Sequence, residues 1–254
     1  MKILITIPCY NEGEKLGKNI TKLNEYLSKH LKESYLIEIA DNNSKDNTKE
    51  IAKGLERRHS TVKYTFVKEQ GKGLAIKYSW NNTGKGFDIL SFMDADLATD
   101  IADFPGLISK ITKENYDLVY GSRYHKDANC KRKISRYIAS KGYLALQRII
   151  LGLRLSDSQC GFKAIKKDKY NLIKDNFIKE KLPGDKNDMF FDTELLALAS
   201  LFELKMCDYP VKWREQKDSS TGIFKLSFLF FRYLFYLRKH INRIREKHAT
   251  GKRY

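Results

Sequence analysis

Two aspartates, separated by one residue, follow a short apolar segment in the middle of the chain. Residues 87–93 read Phe-Asp-Ile-Leu-Ser-Phe-Met, and Asp94 and Asp96 come next. A buried parallel strand is a nearly continuous apolar run, and ligands of open α/β sheets bind beyond the carboxyl ends of the strands. Two neighbouring carboxylates repel each other unless a cation neutralises them. The pair is compatible with a hard divalent ion that also binds a diphosphate, although an isolated Asp-x-Asp is more often a solvated turn or a helix cap.

Polar or glycine-rich groups follow the other predicted strands as well. The pattern predicts strands at residues 2–8, 35–40, 62–67, 87–93 and 117–120, separated by helices. The groups that follow them are, in order, Asn11 and Glu12, Asp41, Gly71-Lys72-Gly73, Asp94 and Asp96, and Arg123. Strands that alternate with helices indicate an α/β fold with a mostly parallel sheet flanked by helices. The carboxyl ends of such strands share one crevice, so the sequence predicts one site there.

The composition of the chain limits its partners. The 254 residues are 42% hydrophobic and carry a net charge of +17, which implies an anionic partner such as nucleic acid, an acidic membrane face or phosphorylated ligands. The four cysteines form no Cys-x-x-Cys pair, which argues against a disulfide framework or zinc site and fits a reducing compartment. The two glycines around Lys72 lack the third glycine of a dinucleotide fingerprint, which argues against a nicotinamide or flavin site.

Four motifs resemble, in order and spacing, those of the family 2 GT-A glycosyltransferases. They are Ile-Pro-Cys-Tyr-Asn-Glu at 7–12, Asp-Asn-Asn-Ser-Lys-Asp-Asn-Thr at 41–48, Gly-Lys-Gly at 71–73 and Asp-Ala-Asp-Leu at 94–97. Gly-Ser-Arg-Tyr at 121–124 is similar to the polyprenyl-phosphate sugar transferases, and the segments at 157–163, 191–196 and 211–215 look most like the dolichyl-phosphate β-glucosyltransferase branch. The resemblance covers roughly residues 3–222. It implies the GT-A, or nucleotide-diphospho-sugar transferase, fold with C-terminal amphipathic helices.

The resemblance also implies the donor side of an active site. The positions that match nucleotide-sugar contacts are Pro8, Tyr10, Glu12, Asp41, Lys72, Asp94, Ala95 and Asp96. Within this set, Asp96 matches the principal ligand of Mg²⁺ or Mn²⁺, and Asp94 matches a residue near the ribose and the metal. The sequence departs from the family at Ala98, where Gln or Ser is frequent, so a supplementary metal contact is lost.

On the acceptor side, Arg123 matches an arginine that faces the phosphates, and Arg136 and Lys217 are assigned to the acceptor phosphate. The lysine expected at Thr221 is missing, so Lys217 or Lys225 would replace it. A lipid monophosphate is largely a dianion at pH 7 because its second pKa is about 6, so it needs no general base. Asp192 is therefore assigned to the catalytic group with two roles left open, a base or a structural and acceptor-orienting residue.

These expectations define a function and its alternatives. The favoured function is an inverting transferase that moves a hexose, with glucose from UDP-glucose preferred, onto a polyprenyl phosphate of the dolichyl type. The nearer alternatives are a GDP-mannose-dependent polyprenyl-phosphate mannosyltransferase and a family 2 transferase that extends a glycan. The remote alternative is a non-catalytic basic binding protein. No specific nucleic-acid partner is expected, because the sequence contains no recognised binding module.

Two segments combine apolar and basic residues. Residues 136–155 are apolar with interspersed Lys and Arg, whereas residues 223–237 are rich in Phe and Tyr and lead into a basic tail. This composition is typical of helices in an anionic membrane interface, and the alternatives are a core helix with a solvated tail or a homodimer seam. We expect a transferase domain at 1–222 and a membrane-associating tail at 223–254, attached peripherally to the cytoplasmic face without a transmembrane segment.

Overall fold

The computed structural model describes residues 1–179, 188–215 and 223–249, except for the side chains of residues 223–228 and 249. The strands are β1 Lys2–Cys9, β2 Ser34–Asp41, β3 Val62–Phe66, β4 Ile89–Met93, β5 Leu118–Ser122, β6 Asn129–Lys131, β7 Phe162–Lys166, β8 Met206–Pro210 and β9 Lys212–Arg214. The α-helices are α1 Gly13–His30, α2 Thr48–Arg58, α3 Lys72–Asn82, α4 Phe104–Thr112, α5 Ile134–Leu151, α6 Lys167–Ile173, α7 Phe191–Leu201 and α8 Ile223–Ala249.

The main sheet contains seven strands in the order β3-β2-β1-β4-β7-β5-β8. The strands β3, β2, β1 and β4 are parallel, and Ile3 of β1 lies opposite both Tyr35 of β2 and Ile89 of β4. The five strands predicted from the sequence are β1 to β5, and their ends differ from the prediction by at most two residues. The predicted α/β fold with a mostly parallel sheet flanked by helices is confirmed.

Helices cover both faces of the sheet because the side chains of each strand alternate between the faces. Ile3, Ile5 and Ile7 of β1 pack with α1, α2 and α4 on one face, and Leu4 packs with α3, α6 and α7 on the other. The buried apolar residues of α1 recur at helical spacing and are Leu16, Ile20, Leu23 and Leu27. The result is three layers, and the carboxyl ends of β1, β2 and β4 meet at one edge.

The strand β7 departs from the parallel pattern. It lies between β4 and β5 and is antiparallel to both. Its N-terminal end therefore lies at the carboxyl end of β4, and the backbone N–H of Asp94 donates to the carbonyl of Gly161 at 3.1 Å. This arrangement brings the segment before β7 to the two aspartates.

The helices α5 and α8 lie beside each other at one side of the sheet. The rings of Tyr143 and Phe230 meet at 4.6 Å between centroids, and Tyr233 and Leu237 of α8 are buried against Phe190. The helix beyond the expected boundary at residue 222 therefore packs on the domain core along its described part. In the described residues, the helices are either too short or too polar to cross a bilayer.

Candidate active site

The two aspartates lie in a turn directly after β4. Leu97 has a φ of 49°, which turns the chain sharply there, and the N–H of Ala98 donates to Asp96 Oδ1 at 3.0 Å. A Cβ at position 161 would overlap the carboxylate of Asp94, so a larger residue there would displace that side chain. Burial raises the pKa of Asp96, and the charge of Asp94 raises it further. The turn thus holds two carboxylates close together and disfavours the charge on Asp96.

The donor set of this turn fits a divalent cation. Mg²⁺ and Mn²⁺ take oxygen ligands, and Mg²⁺ is usually held by one or two carboxylates together with substrate phosphates and water. Burial also raises the pKa of Glu12, to which the charge of Asp96 contributes. Among the described residues, no group of three or more Asp, Glu, His or Cys side chains is arranged to hold a metal ion without other ligands. Asp94 and Asp96 would therefore hold an ion whose coordination is completed by the ligand.

Lys72 lies beside the aspartates. Its Nζ is 2.7 Å from Asp94 Oδ1 and 3.3 Å from Asp192 Oδ2. Burial alone would lower the pKa of Lys72, but Asp192 and Asp94 outweigh it and raise the pKa above its usual value. The ammonium is therefore charged at neutral pH and can donate charge-assisted hydrogen bonds to an anionic group.

Asp192 is buried behind Lys72 at the start of α7. One oxygen is paired with the Nζ of Lys163, which also donates to the carbonyl of Cys160, and the other faces Lys72. Burial alone would raise the pKa of Asp192, but the charges of Lys163 and Lys72 hold it below its usual value. Asp192 is thus an ionised carboxylate between two ammonium groups.

A cavity of about 230 Å³ opens next to Lys72. It is lined by Pro8, Cys9, Tyr10, Asn42, Gln70, Gly71 and Lys72. The structure thus brings together three of the residues predicted for the nucleotide side, namely Pro8, Tyr10 and Lys72. Tyr10 is exposed and lines this cavity.

The other predicted donor residues lie around that cavity or behind it. Asp41 is buried and accepts hydrogen bonds from the N–H of Ser44 and from the hydroxyl of Tyr64, both at 3.0 Å. Ala95 is buried, and its carbonyl accepts from Asn19 Nδ2 at 2.9 Å. Asp41 and Ala95 are therefore buried, hydrogen-bonded residues at the ends of β2 and β4.

Sequence reasoning missed Asn42 in this cavity. Its side chain is buried, and its Oδ1 has no hydrogen-bond partner among the residues that the structure describes. Its position directly after Asp41, at the end of the second predicted strand, is the sequence feature that could have indicated it.

Arg123 is held by a partner that the sequence did not reveal. Its Nε and Nη2 donate to the two oxygens of Asp157 at 2.7 and 3.0 Å, and its backbone N–H donates to Asp157 Oδ2 at 3.1 Å. Burial alone would lower the pKa of Arg123, but Asp157 raises it above its usual value. The guanidinium carbon lies 5.5 Å from the ring centroid of Trp213. Arg123 is therefore rigidly positioned.

A second cavity, of about 540 Å³, lies beside Arg123. It is lined by Arg123, Tyr124, Arg132, Arg136, Ala139, Ser140, Gly142, Tyr143, Leu144, Leu146, Asp157, Ser158, Gln159 and Phe230. Three arginines and several apolar side chains therefore share one space. Such a lining suits a ligand with an anionic group and an apolar part.

Arg132 was not predicted as a site residue from the sequence, although it lies in a run of three basic residues at 131–133. Its Nη2 donates to Ser140 Oγ at 3.1 Å, and its guanidinium carbon lies 5.7 Å from the ring centroid of Trp213. Arg136, which was predicted for this side, is paired with Glu215 at 2.9 Å. Lys217 and Thr221 lie outside the described residues.

Comparison with proteins of known sequence gives relatives over most of the chain. The chain is 27% identical to the glycosyltransferase AglD of Haloferax volcanii over 88% of its length, but spans only 35% of that protein. It is 29% identical to dolichyl-phosphate beta-glucosyltransferase of Dictyostelium discoideum, covering 97% of this chain and 75% of that protein. The human protein of that name is 28% identical, with 86% and 69% covered.

Comparison with solved structures supports the fold. Glucosyl-3-phosphoglycerate synthase of Mycobacterium tuberculosis, in complex with Mn²⁺ and UDP-glucose, has a TM-score of 0.65 at 17% identity, covering 95% of this chain and 79% of that one. Mannosyl-3-phosphoglycerate synthase of Rubrobacter xylanophilus has a TM-score of 0.60 at 13% identity, with 100% and 76% covered. The predicted GT-A fold is confirmed. The family model of glycosyl transferase family 2 matches residues 4–173, more than half of the chain, so the protein belongs to glycosyl transferase family 2.

Proposed function

We propose that the protein transfers glucose from UDP-glucose to a dolichyl-type polyprenyl phosphate, with inversion at the anomeric carbon. The relatives named dolichyl-phosphate beta-glucosyltransferase support glucose as the group transferred and dolichyl phosphate as the acceptor. The carrying observation is that Asp94 contacts residues close to two cavities of different character. It contacts Lys72, which lines the smaller cavity, and Gly161, which is two residues from Gln159 in the larger one.

The smaller cavity takes the donor. Tyr10 and Pro8 face the base, and Lys72 places a positive charge where the diphosphate meets the aspartates. Asp94 and Asp96 would hold Mg²⁺ or Mn²⁺, which when bound would offset the negative charge that develops on the leaving diphosphate. An ionised Lys72 acts in the same direction, because a charge-assisted hydrogen bond strengthens as its acceptor becomes more negative.

The larger cavity takes the acceptor. Arg132 and Arg136 bind the phosphate of the polyprenyl phosphate, and Arg123, fixed by Asp157, completes the cationic wall. The apolar side chains of Leu144 and Phe230 contact the first isoprene units. These contacts orient the phosphate oxygen toward the anomeric carbon and make the attack effectively intramolecular.

No protein base takes part in the proposed step. The acceptor phosphate is already a dianion at neutral pH because its second pKa is about 6. Asp192 keeps Lys72 and Lys163 in place and is a positioning residue, since both of its oxygens face ammonium groups. We place the reaction at the cytoplasmic face of a membrane, where the protein attaches peripherally to an anionic surface.

The test is a transfer assay with UDP-glucose and a short-chain polyprenyl phosphate in detergent, with and without Mn²⁺. We expect a glucosyl phospholipid product that forms only with the divalent ion, and UDP should raise the melting temperature in the presence of Mn²⁺. The matched control is Asp96→Asn, which should bind Mn²⁺ more weakly and lose transfer by about a hundredfold or more. Transfer from GDP-mannose in place of UDP-glucose would establish the mannosyltransferase instead, and transfer undiminished in excess chelator would exclude the metal.

A further inference from the structure

The short strand β9 lies beside the turn of residues 94–98, which we call the aspartate turn. The backbone N–H of Arg214 donates to the carbonyl of Ala98 at 2.9 Å. Thr99, the next residue along, faces Trp213 in an antiparallel bridge. One edge of β9 is therefore fixed by main-chain contacts to the segment that carries the two aspartates.

The other edge of β9 is fixed to the segment that leads to Arg132. The strand β9 pairs in parallel with β6, and Trp213 lies opposite Cys130. The backbone N–H of Glu215 donates to the carbonyl of Lys131 at 3.1 Å. Since Arg132 directly follows β6, the three residues of β9 join the aspartate turn to a wall of the larger cavity.

The side chain of Trp213 meets two arginines of that wall. The guanidinium carbons of Arg123 and Arg132 lie 5.5 Å and 5.7 Å from the centroid of its ring. Both distances are within the range of a cation–π contact, and a guanidinium stacks on an aromatic face. The indole does not line the cavity itself. It thus supports the two cationic groups from behind.

The two arginines differ in what else holds them. Arg123 is paired with both oxygens of Asp157, which largely neutralises its charge. Arg132 donates to uncharged oxygens in the described part of the chain, including Ser140 Oγ at 3.1 Å. Its Nε is buried without a hydrogen-bond partner among the described residues. The charge of Arg132 is therefore available to an anionic ligand, and the ring of Trp213 helps to fix where that charge lies.

We propose that Trp213 is a positioning residue that holds Arg132 and Arg123 in register with the aspartate turn. This inference rests on the proposed function and deepens it. In the transfer step the acceptor phosphate and the leaving diphosphate approach one anomeric carbon from opposite sides. The spacing between their two binding sites therefore has to be fixed, because a small displacement of a reacting group lowers the rate steeply. The strand β9 fixes it through its main chain, and Trp213 through its ring.

The main chain and the side chain of residue 213 have separate tasks. The contacts with Ala98 and Thr99 are made by the main chain of β9, so a change of the ring leaves the aspartate turn in place. Loss of the ring lets the guanidinium of Arg132 move before an anion binds, and ordering it on binding costs affinity. We therefore expect variants of Trp213 to lose affinity for the acceptor and to keep affinity for the donor.

Calorimetric titration with farnesyl phosphate, a short polyprenyl monophosphate, in the presence of Mn²⁺ and UDP tests the inference. Trp213→Met, which fills space without a ring, should weaken binding of farnesyl phosphate by about tenfold. Trp213→Phe keeps an aromatic face and should recover most of the affinity. Both variants should bind UDP like the wild type, and in the transfer assay the KM for the acceptor should rise while the KM for UDP-glucose stays constant. The control is Lys212→Met, which removes an exposed cation from the same strand and should bind farnesyl phosphate normally.

A double-mutant cycle shows whether Trp213 acts through Arg132. In the Arg132→Met background, Trp213→Met should weaken farnesyl phosphate binding much less than it does in the wild type, because the group that it positions is gone. The wild type gives a further readout that requires no variant at position 213. Trp80, the other tryptophan, is buried beside Tyr170, so a change of indole emission that saturates with farnesyl phosphate reports on Trp213.

The outcomes separate this inference from the proposed function. If the wild type binds no farnesyl phosphate, the proposed acceptor site is wrong and the role of Trp213 falls with it. If the wild type binds it but Trp213→Met binds it equally well, or the cycle is strictly additive, only the positioning role is overturned. A folded Trp213→Met that loses UDP and farnesyl phosphate alike would make the residue merely structural. If Trp213→Met does not fold, unchanged emission of the wild type at saturating farnesyl phosphate would overturn the role instead.

Discussion

The Nζ of Lys72 lies 2.7 Å from Asp94 Oδ1, so a lysine at the start of α3 neutralises a carboxylate at the end of β4. The same ammonium is 3.3 Å from Asp192 Oδ2. A divalent ion on Asp94 and the ammonium of Lys72 would therefore compete for one carboxylate when the donor is absent. When a diphosphate is bound, its negative charge gives both cations a partner, and the competition is relieved.

The first prediction concerns this competition. Lys72→Met should raise the affinity for Mn²⁺ alone by about threefold to tenfold, because a nearby positive charge is removed. The same variant should weaken UDP binding in the presence of Mn²⁺ by about tenfold, because a charge-assisted hydrogen bond is lost. Mn²⁺ titration by electron paramagnetic resonance and nucleotide titration by thermal shift measure the two effects.

The control for this prediction is Lys77→Met in the same helix. Lys77 is paired with Asp188 at 2.7 Å rather than with the aspartates. Its removal should leave the affinity for Mn²⁺ unchanged. A fall in Mn²⁺ affinity on Lys72→Met would contradict the competition.

The second prediction concerns Gly161. In Gly161→Ala the new Cβ would overlap the carboxylate of Asp94, which has to move. We expect weaker Mn²⁺ binding and a loss of transfer of about tenfold or more, since a small displacement of a positioned group is costly. Gly84→Ala is the control, because a Cβ there would contact nothing within 4 Å. If Gly161→Ala and Gly84→Ala bind Mn²⁺ equally well, the close approach of residue 161 to Asp94 has no role in the site.

The parallel half of the sheet and its polar edge were predictable because each strand carries its own local signal. The strand β7 was not, since its position between β4 and β5 depends on contacts with residues far away in the chain. The pairing of Arg123 with Asp157 is likewise a contact across 34 positions. The periodicity of α5 identifies which residues share a face, but it does not reveal which face points inward. That orientation depends on Thr193 and Ser158, which belong to other elements.

The third prediction concerns Arg123 and Asp157. Both side chains are largely buried, so Asp157→Asn leaves a buried guanidinium without its counterion and should lower the free energy of unfolding by about 3 kcal/mol. Arg123→Ala should lower it similarly and should lose more transfer than Arg123→Lys, which keeps the charge but not the forked geometry.

A double-mutant cycle measures the interaction. The variant with Arg123→Met and Asp157→Leu should be less destabilised than the sum of Arg123→Met and Asp157→Leu measured singly, because no buried charge is left unpaired. Chemical denaturation gives the four free energies. Strict additivity would show that the two residues act independently.

The last prediction separates a base from a positioning residue at Asp192. Pairing with Lys163 and Lys72 lowers the pKa of Asp192 despite its burial, so the stabilisation that it provides is fully present above the unfolded value of about 3.9 and is lost as the pH falls through the lower folded value. Asp192 therefore does not titrate near neutral pH. The rate should instead follow ionisation of the acceptor phosphate and rise between about pH 6 and 7.

Asp192→Asn should retain this pH profile, because the group that titrates belongs to the substrate. Its rate should be lower and its KM for UDP-glucose higher, since the amide holds Lys72 less firmly than the carboxylate does. The control is Asp117→Asn, which removes another carboxylate paired with a lysine, at the far end of β7. This control should keep the wild-type KM. If Asp192→Asn binds UDP normally, is folded and yet shows no transfer at any pH, the carboxylate acts as a base and the positioning role is wrong.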